Sequence, residues 1–395
     1  MTRRRKRMRS GSATMRFAFN PFLRPEEAAP RASRTVPPSS NAVLDYHRSL
    51  GGYAPTPLVT LPGLAARLGL GALLVKDESR RFGLNAFKGL GASWAVRCLA
   101  DARRRDGAAP LTTVATATDG NHGRAVAWAA HMHGLAAVIF IPEHSAPARI
   151  AAIRGEGARV VLVDGSYDDA VARCAAESAA HGWQVVADTG YAGYMEIPRL
   201  VAQGYETLFL EADAQIEARL LPPPDLVLVQ GGVGALAAAA VEHHGPRRER
   251  PRLAVVEPDD ADCLLESILS EDGQPRASRG RQRSIMAGLN CGLPSLAAWP
   301  VLRRGIDLFL SVEDRFAEDA MRLLWRPAPG DLRVEAGESG AAGLAGLIAL
   351  LADDTLRAAR ERLRLSGATT ALVINTEGAT DPEGFRAIVG ASSNL

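Results

Sequence analysis

The stretch "LVLVQGGVGALAAAAVE" (226–242) decides the fold class predicted for this chain. It begins with a continuously apolar run, as expected for a strand that is buried on both faces. Three glycines follow in a tight turn, and the alanine-rich run after them favours a helix. A strand, a glycine turn and a helix in this order predict one unit of an α/β fold, with a parallel sheet and helices on both of its faces.

Similar units recur along the chain. Amphipathic segments such as 167–181 and 314–325 predict helices between the apolar runs. A polar stretch without periodicity, residues 270–284, is predicted as a surface loop that is either inert or a lid. Eight strands, enough for two sheets, are predicted at residues 73–76, 113–118, 136–142, 159–164, 183–188, 225–230, 253–258 and 371–376.

Composition and charge indicate an ordinary globular protein of 395 residues, long enough for two domains or one large α/β unit. The net charge of +2 argues against a dedicated nucleic-acid binder, although six basic residues lie within the first nine positions. This basic tail is a solvated arm, a segment translated ahead of a later start at Met8 or Met15, or a targeting or nucleic-acid signal. We predict that residues 1–40, which are rich in Arg, Pro and Ser, form a flexible extension.

The sequence predicts a cytoplasmic protein without a membrane span or a metal site. No apolar stretch of signal-peptide length follows the basic tail, and polar residues or glycines interrupt the longer apolar runs. His131 and His133 lie two positions apart in a helical run, so they face different sides. Reduced thiols are expected for the four cysteines, which show no CxxC spacing: Cys98, Cys174, Cys263 and Cys291.

Lysine is scarce in this chain, which makes each lysine informative. Of 46 basic residues, only Lys6, Lys76 and Lys88 are lysines. A primary amine can lose its proton and condense with an aldehyde, whereas a guanidinium stays protonated. Lys88 opens a helical run, where the amides of the helix N-terminus favour the neutral amine. It is therefore either an ordinary exposed lysine or a reactive one.

Two turns are candidates for ligand binding. In "TDGNHG" (118–123), Asn121 offers both donors and an acceptor, and His122 is interpreted as a local hydrogen-bonding residue. The glycine turn at 231–234 directs backbone N–H groups and the positive end of a helix dipole at one point, as phosphate sites do. It also matches part of a dinucleotide fingerprint. Because Glu257 ends the next predicted strand, a nicotinamide-dependent dehydrogenase stays an alternative.

Taken together and in order, seven motifs resemble those of the fold-type-II pyridoxal 5′-phosphate enzymes, the tryptophan synthase β-like group that includes serine and threonine dehydratases. Within this group the chain most resembles the diaminopropionate ammonia-lyases. The resemblance covers roughly residues 40 to 385. Its motifs are "GYAPTPLVTLPGLAARLGLGALLVKDESRRFGLNAFKGLGA" (52–92), "ATDGNHGRAVAWAA" (117–130), "DTGYAGYMEIP" (188–198), "QGGVGALA" (230–237), "IMAGLNCG" (285–292), "AGESGAAGL" (336–344) and "NTEGATD" (375–381).

The resemblance implies two open parallel-sheet α/β domains with the active site in the cleft between them. Residues 41–90 and 206–395 would form a large cofactor-binding domain, and residues 91–205 would form a small domain. The resemblance also implies a homodimer that acts on a small amino acid, with neither nucleic acid nor a membrane as its partner.

The resemblance also implies roles for single residues around the cofactor, pyridoxal 5′-phosphate. Lys88 would be its Schiff-base lysine, and Asn121 would hydrogen-bond the hydroxyl group of its ring. Asn375 or Thr376 would face the ring nitrogen, where a neutral residue draws less charge into the ring and suits elimination. The remaining cofactor-binding residues would be Gly231, Gly232, Val233, Gly234, Ala235 and Glu338.

Two carboxylates separate this chain from the dehydratases. Asp119 stands where the dehydratases have a small or hydroxylic residue, and Asp188 ends a predicted strand, where ligands bind in parallel sheets. Each is otherwise interpreted as an aspartate that caps a turn. In the ammonia-lyases the matching aspartates remove the Cα proton from the two enantiomers of the substrate. The resemblance thus implies elimination of ammonia from D- or L-2,3-diaminopropionate, which yields pyruvate and two molecules of ammonia.

Several alternatives stay open. Another elimination or replacement at Cβ is possible on the same scaffold, as in a serine or threonine dehydratase or a diaminopropionate-forming enzyme, and so is a non-catalytic binder. The sequence departs from the family pattern after Cys291, where it reads "CGLPSLAAW", and at Asn375, where serine is commoner. A local crosslink between Cys263 and Cys291 is conceivable, although a cytoplasmic setting disfavours it.

Overall fold

The computed structural model describes residues 15–27, 41–118 and 120–391. The strands in these ranges form a seven-stranded sheet, ordered β1-β10-β9-β8-β11-β3-β2, and a four-stranded sheet, ordered β6-β5-β4-β7. They are β1 (Phe17–Phe19), β2 (Leu58–Thr60), β3 (Ala72–Asp77), β4 (Thr113–Ala117), β5 (Ala136–Pro142), β6 (Arg159–Val163), β7 (Gln184–Val185), β8 (Leu226–Gln230), β9 (Arg252–Pro258), β10 (Leu308–Val312) and β11 (Thr370–Asn375).

Both sheets are built mainly from parallel strands, which confirms the predicted α/β class. The four-stranded sheet is parallel throughout. In the seven-stranded sheet the inner pairs are parallel, whereas the edge strands β1 and β2 run antiparallel to β10 and β3. The carboxyl ends of the parallel strands of one sheet lie at one edge, which is where such folds bind ligands.

The eight predicted strands are all present, and the structure adds β1, β2 and β10. One prediction was too long: residues 183–188 pair as a strand only over Gln184–Val185. The Tyr194 hydroxyl donates to the Val185 carbonyl oxygen at 2.9 Å and accepts from the Ala187 amide at 3.0 Å. This side chain therefore takes the place of a further strand partner, and the backbone turns away before it reaches Asp188.

Helices cover the sheets, and the predicted helices at 167–181 and 314–325 are confirmed. Ser166 and Asp169 form a reciprocal capping box at the start of the first of them. Short 3₁₀ turns occur at Pro25–Glu27, Arg81–Gly83, Ala287–Leu289 and Asp354–Leu356. The α-helices are α1 (Ala42–Ser49), α2 (Pro62–Arg67), α3 (Lys88–Arg105), α4 (Asn121–Met132), α5 (Pro147–Gly155), α6 (Tyr167–His181), α7 (Glu196–Gly204), α8 (Glu206–Ala218), α9 (Ala235–His244), α10 (Cys263–Ile268), α11 (Trp299–Gly305), α12 (Asp314–Trp325), α13 (Ala342–Ala352), α14 (Arg357–Arg362) and α15 (Pro382–Gly390).

The stretch that opened the sequence analysis forms the centre of the large sheet. Leu226 and Leu228 of β8 pack into the hydrophobic core on one face of the sheet, and Val227 and Val229 pack into the core on the other face. All four are fully buried, as predicted from the continuously apolar run. Each such side chain contributes about 1.5–3 kcal/mol by leaving water.

The predicted flexible extension over residues 1–40 is wrong for the part that the structure describes. Phe17–Phe19 pairs with β10 at the edge of the large sheet, and Met15 is buried in the core. Apolar side chains and the unpaired edge of β10 hold this segment in place. The basic tail lies outside the described residues, as do residues 28–40.

Other predictions concern the organisation of the chain. The division into domains at residues 91 and 205 stays a prediction, as does the lid function of residues 270–284, which contain neither a helix nor a strand. Among the described residues, none of the helices is both long and apolar enough to span a membrane.

Candidate active site

Lys88 is the first residue of α3, and a constrained turn places it there. Two residues in this turn, Phe82 and Asn85, have left-handed φ angles of 53° and 56°. Backbone hydrogen bonds hold the turn against the segment after β11: Phe87 N donates to Thr376 O at 3.0 Å, and Gly378 N donates to Asn85 O at 2.9 Å. The lysine thus projects from a fixed backbone rather than from a mobile surface loop.

The amine of Lys88 donates a hydrogen bond to the carboxylate of Asp188, with Nζ and Oδ2 2.7 Å apart. Burial by itself lowers the pKa of Lys88, but the Asp188 carboxylate outweighs burial and raises that pKa above its usual range. In this contact the Asp188 carboxylate favours the charged amine, against the helix amides, which favour the neutral one.

Asp188 is the carboxylate that the sequence predicted at the end of a strand. Burial raises its pKa, but the charge of Lys88, together with His122, holds the pKa well below the usual range. His122 lies behind it, with Nδ1 3.8 Å from Asp188 Oδ2. The side chain of Asp188 is 13% exposed, so part of it is accessible to solvent although it is paired. As long as Lys88 carries a positive charge, Asp188 stays an anion and a weak base.

Asp119, the second predicted carboxylate, lies outside the described residues. The turn around it is held by the Thr118 hydroxyl, which accepts from the amides of Gly120 at 2.9 Å and of Gly123 at 3.0 Å. This bonding fixes the N-terminus of α4, where Asn121 and His122 follow. The proton-accepting role of Asp119 stays a prediction.

Asn121 connects the small sheet to the large one. Its amide nitrogen donates to the carboxylate of Glu377, which follows β11. The Ser339 amide donates to the other oxygen of this carboxylate at 3.1 Å. Sequence reasoning did not assign a role to Glu377, although its place beside Asn375 and Thr376 at the carboxyl end of β11 is the signal that could have found it.

The glycine turn between β8 and α9 has the form of an anion site. Gly234 has a φ angle of 99°, in the region that favours glycine. A Cβ atom on Gly231 would lie 2.7 Å from the side chain of Glu257, and one on Gly232 would lie 3.2 Å from the sulfur of Cys291. A side chain at Gly231 would therefore clash, one at Gly232 would be tight, and the turn leads into the N-terminus of a helix of 10 residues.

The side chain of Glu257 packs against Gly231, but its carboxylate is bound by backbone amides rather than left for a ribose. Its two carboxylate oxygens accept from the amides of Leu264 and Leu265, each at 2.8 Å. The side chain is fully buried, and burial raises its pKa well above the usual range. Glu257 therefore caps α10, and the feature that kept a nicotinamide-dependent dehydrogenase open has a structural role instead.

Asn375 and Thr376 lie at the end of β11, and both are buried. The amide nitrogen of Asn375 donates to Asp77 Oδ1 and to the Glu335 carbonyl oxygen, each at 2.8 Å. Because both of its amide hydrogens are used, Asn375 presents only its oxygen to a ligand, whereas the Thr376 hydroxyl can donate or accept. The neighbouring Gln230 also donates twice, at 2.9 and 2.7 Å, to the carbonyl oxygens of Gly340 and Ile374.

Glu338, predicted to bind the cofactor, is a buried carboxyl group with 5% exposure. Burial raises its pKa to about 7, with a further contribution from Glu377 and a partial offset from Arg149. Arg149 belongs to α5 on the side of the small sheet, and its side chain would touch a Cβ atom placed on Gly120. A neutral carboxyl group can donate a hydrogen bond, which a carboxylate cannot.

Eight buried side-chain polar atoms of the described residues lack a hydrogen-bond partner; three belong to His244 and Arg303, and five belong to residues around Lys88, Asp188 and the ends of β8 and β11. Such atoms are rare in folded proteins, and a group of them indicates a place where a ligand supplies the missing partner. The atoms of this cluster are His122 Nδ1, the Tyr205 hydroxyl, Gln230 Oε1, Glu338 Oε2 and Asn375 Oδ1. Together with an amine and an anion site, they fit a phosphorylated aldehyde with a polar ring such as pyridoxal 5′-phosphate.

The cysteines near this site form no disulfide within the described residues. Cys263 Sγ lies 3.8 Å from the Gly232 carbonyl oxygen, and Cys291 lies on another side of the same glycine. Both thiols therefore border the glycine turn. The reduced state of these thiols stays a prediction.

Comparisons with known proteins agree with the geometry. The model of the pyridoxal-phosphate dependent enzyme family matches residues 50–376. The diaminopropionate ammonia-lyase of Salmonella typhimurium is 41% identical over 366 residues, which cover 88% of this chain and 91% of that protein. The diaminopropionate ammonia-lyase of Escherichia coli is 40% identical over 360 residues, with 87% and 89% covered.

A solved structure is similar over nearly the whole chain. It shows the Escherichia coli diaminopropionate ammonia-lyase in complex with an aminoacrylate-PLP azomethine reaction intermediate. It superposes with a TM-score of 0.85 at 38% identity, and the match covers 96% of this chain and 97% of that one.

Proposed function

The chain belongs to the family of pyridoxal-phosphate dependent enzymes, and on this premise we propose that it is a lyase that eliminates ammonia from 2,3-diaminopropionate. The elimination followed by hydrolysis converts the substrate and one water into pyruvate and two molecules of ammonia. The observation that carries this proposal is the contact of 2.7 Å between the amine of Lys88 and the carboxylate of Asp188. This contact brings Lys88, which would hold the cofactor, next to Asp188, which would remove the Cα proton of the substrate.

Five groups would hold the cofactor. Lys88 would bind its aldehyde carbon, and the amides of residues 231–235 would bind its phosphate. Asn121 would hydrogen-bond the ring hydroxyl. Because both amide hydrogens of Asn375 are used, we assign the donor to the ring nitrogen to Thr376, with Glu338 as a neutral donor nearby. When bound, the cofactor supplies an electron-accepting ring that stabilises the electron pair left at Cα.

Asp188 would act as a base once the charge of Lys88 is removed. The pKa of Asp188 is low because the ammonium group of Lys88 lies next to it. When Lys88 reacts and its charge is lost or displaced, burial is left as the main influence and raises the pKa of the carboxyl group toward that of a useful base. Asp119 would serve the other face of the substrate, so that both enantiomers can be deprotonated.

The carboxylates would favour this substrate over serine. 2,3-Diaminopropionate carries a second amino group, and in its protonated form this group is attracted by the negative charges of Asp119 and Asp188. The β-amino group leaves as ammonia. The hydroxyl group of serine carries no positive charge that the two carboxylates could attract, and it needs a proton from an acid to leave as water.

The test is a substrate panel scored by pyruvate release. It contains D- and L-diaminopropionate and D- and L-serine, each with the purified, cofactor-loaded protein. We expect turnover of diaminopropionate to exceed that of serine by at least about 10²-fold, because sites that bind a polar group reject substrates lacking it by up to about 10⁴–10⁵-fold. A larger rate with serine would identify the protein as a dehydratase instead.

We also propose a cytoplasmic homodimer with domain boundaries near residues 91 and 205. The expectation of a reducing compartment rests on the cysteine spacing, which contains no CxxC pair. Light scattering coupled to size-exclusion chromatography tests the dimer, for which twice the chain mass of 41.9 kDa is expected.

A further inference from the structure

His122 is the second residue of α4, and its ring is held in one orientation. Nε2 lies 2.9 Å from the carbonyl oxygen of Val186. A carbonyl oxygen can only accept, so Nε2 carries the hydrogen. The residue is 6% exposed and its partner belongs to the segment after β7, so this is a tertiary contact rather than the local one that the sequence predicted.

The other ring nitrogen of His122, Nδ1, lies near the carboxylate of Asp188, and neither of the two atoms carries a hydrogen. In a neutral ring with hydrogen on Nε2, Nδ1 is an acceptor. It has no hydrogen-bond partner among the described residues, and it lies 3.8 Å from Asp188 Oδ2, which is also an acceptor. Two acceptors form a stabilising hydrogen bond only when one of them binds a proton and shares it with the other. Movement of less than about 1 Å would make a hydrogen bond, a tightening that is common on substrate binding.

We propose, on the basis of the function proposed above, that His122 is the positioning residue behind Asp188 and takes up at Nδ1 the proton that Asp188 removes from the substrate. The Cα–H bond breaks and its electron pair stays on the substrate. The proton binds Asp188 and then moves to Nδ1, which leaves a carboxylate beside an imidazolium. The Val186 carbonyl oxygen keeps the ring oriented throughout.

The charges around the ring support this direction of transfer. Burial lowers the pKa of His122, and the ammonium group of Lys88 also lowers it, whereas Asp188 and the Val186 carbonyl raise it. The ring is therefore neutral while Lys88 is charged, and Nδ1 is ready to accept. When the charge of Lys88 is lost or displaced, the pKa of the ring rises, which is when a proton has to be received.

The first test compares the two enantiomers of diaminopropionate. His122→Gln keeps a donor for Val186 but cannot accept a proton. We expect it to lower kcat by about 10²-fold for the enantiomer that Asp188→Asn impairs most, the usual scale of acid–base assistance, and to change the other enantiomer little. His131→Gln, at an exposed position of the same helix, is the matched control. Equal losses for both enantiomers, or no loss, would overturn the proposal.

The second test does not depend on turnover. NMR of the protein labelled with ¹³C at histidine Cε1 follows the titration of each ring, and the signal absent from His122→Gln identifies His122. In Asp188→Asn we expect the titration midpoint of His122 to fall by about one pH unit or more, because a carboxylate within about 4–6 Å is removed. An unchanged midpoint would refute the coupling. If the wild-type protein turned over neither enantiomer, the function proposed above would fail, while this measurement would still decide whether His122 and Asp188 are coupled.

Discussion

Lys76 and Lys88 are two of the three lysines in the chain, and they have opposite surroundings. Lys76 is fully buried, and its amine donates to the Thr56 carbonyl oxygen at 2.6 Å, to Glu211 at 2.7 Å and to Gln215 at 3.2 Å. These three acceptors match the three hydrogens of the amine. The side chain of Lys88 is 19% exposed and donates to Asp188.

The difference extends to the groups around each lysine. Near Lys76, Arg81 donates to both Glu78 and Glu211 at 2.7–2.8 Å, so the buried charges are paired with one another. Around the site of Lys88, the polar atoms without partners include His122 Nδ1 and the Tyr205 hydroxyl. A buried charge with every partner in place supports the fold, whereas unpaired atoms around a lysine indicate a site that binds a ligand.

The largest effect is expected for Lys88→Ala. The variant should lose at least about 10³-fold in kcat, as happens when a covalent catalytic residue is removed. It should also lack the visible absorption band of the lysine-bound cofactor, which borohydride abolishes in the wild-type protein. Pyruvate release and an absorption spectrum measure the two effects. Substantial activity in this variant would remove the distinction between the two lysines.

Lys76→Met should show the reverse pattern. It leaves Glu211 with fewer partners in a buried site, so we expect the free energy of unfolding to fall by about 3 kcal/mol, the scale for breaking a buried ion pair. Activity per folded molecule should be kept. Urea unfolding monitored by circular dichroism measures the free energy of unfolding. Active-site titration of the folded fraction measures the activity per folded molecule. A loss of kcat comparable to that of Lys88→Ala would contradict the structural role of Lys76.

A comparison of two carboxyl groups sharpens the same contrast. Arg81 and Lys76 outweigh burial and lower the pKa of Glu211, whereas burial raises that of Glu338 from 4.5 to about 7. A raised pKa means that the folded state binds the proton more tightly than the unfolded state does. The contribution of Glu338 to the free energy of unfolding is therefore greatest below pH 4.5 and is lost as the pH rises through about 7. For Glu338 this loss corresponds to about 3 kcal/mol.

Replacement of Glu338 by Gln should remove this pH dependence. We expect the variant to gain stability relative to wild type at pH 8 compared with pH 4.5, as measured by urea unfolding at both values. Glu383→Gln, at an exposed position of α15, is the control and should follow wild type. If the free energies of unfolding of Glu338→Gln and wild type changed with pH in parallel, folding would not raise the pKa of this carboxyl group.

The smallest effect is expected in the glycine turn. In Gly232→Ala the new Cβ would lie 3.2 Å from Cys291 Sγ and 3.3 Å from the Gly288 carbonyl oxygen. A shift of a few tenths of an ångström in the turn should weaken cofactor binding by about tenfold, or 1.4 kcal/mol. Titration of the cofactor by absorbance measures this. Gly367→Ala, whose Cβ meets nothing within 4 Å, should bind like wild type.

Sequence patterns predicted the inner strands of the sheets better than the edges. The inner strand β8 is apolar at consecutive positions because both of its faces are buried. The edge strands β1 and β2 have three residues each, too few for a clear period. β10 was missed although its five residues are all buried, because a serine and a flanking acidic segment obscured the run.

The candidate site was predicted unevenly. The scarcity of lysine drew attention to both Lys76 and Lys88, and composition could not tell them apart. The family resemblance added Asp119 and Asp188. Neither approach could show that His122 approaches Asp188, because residues 122 and 188 are far apart in the chain and meet only when β7 packs beside β4.

By itself, the sequence determined the parallel α/β architecture, the glycine turn and the presence of a rare amine at a helix start, because these depend on local periodicity and on residue chemistry. Only the tertiary structure decided which lysine is fully paired, that Glu257 caps a helix, and that Glu377 and His122 belong to the site. These features depend on contacts between segments that are distant in the chain, and burial at such contacts sets the charge of each group.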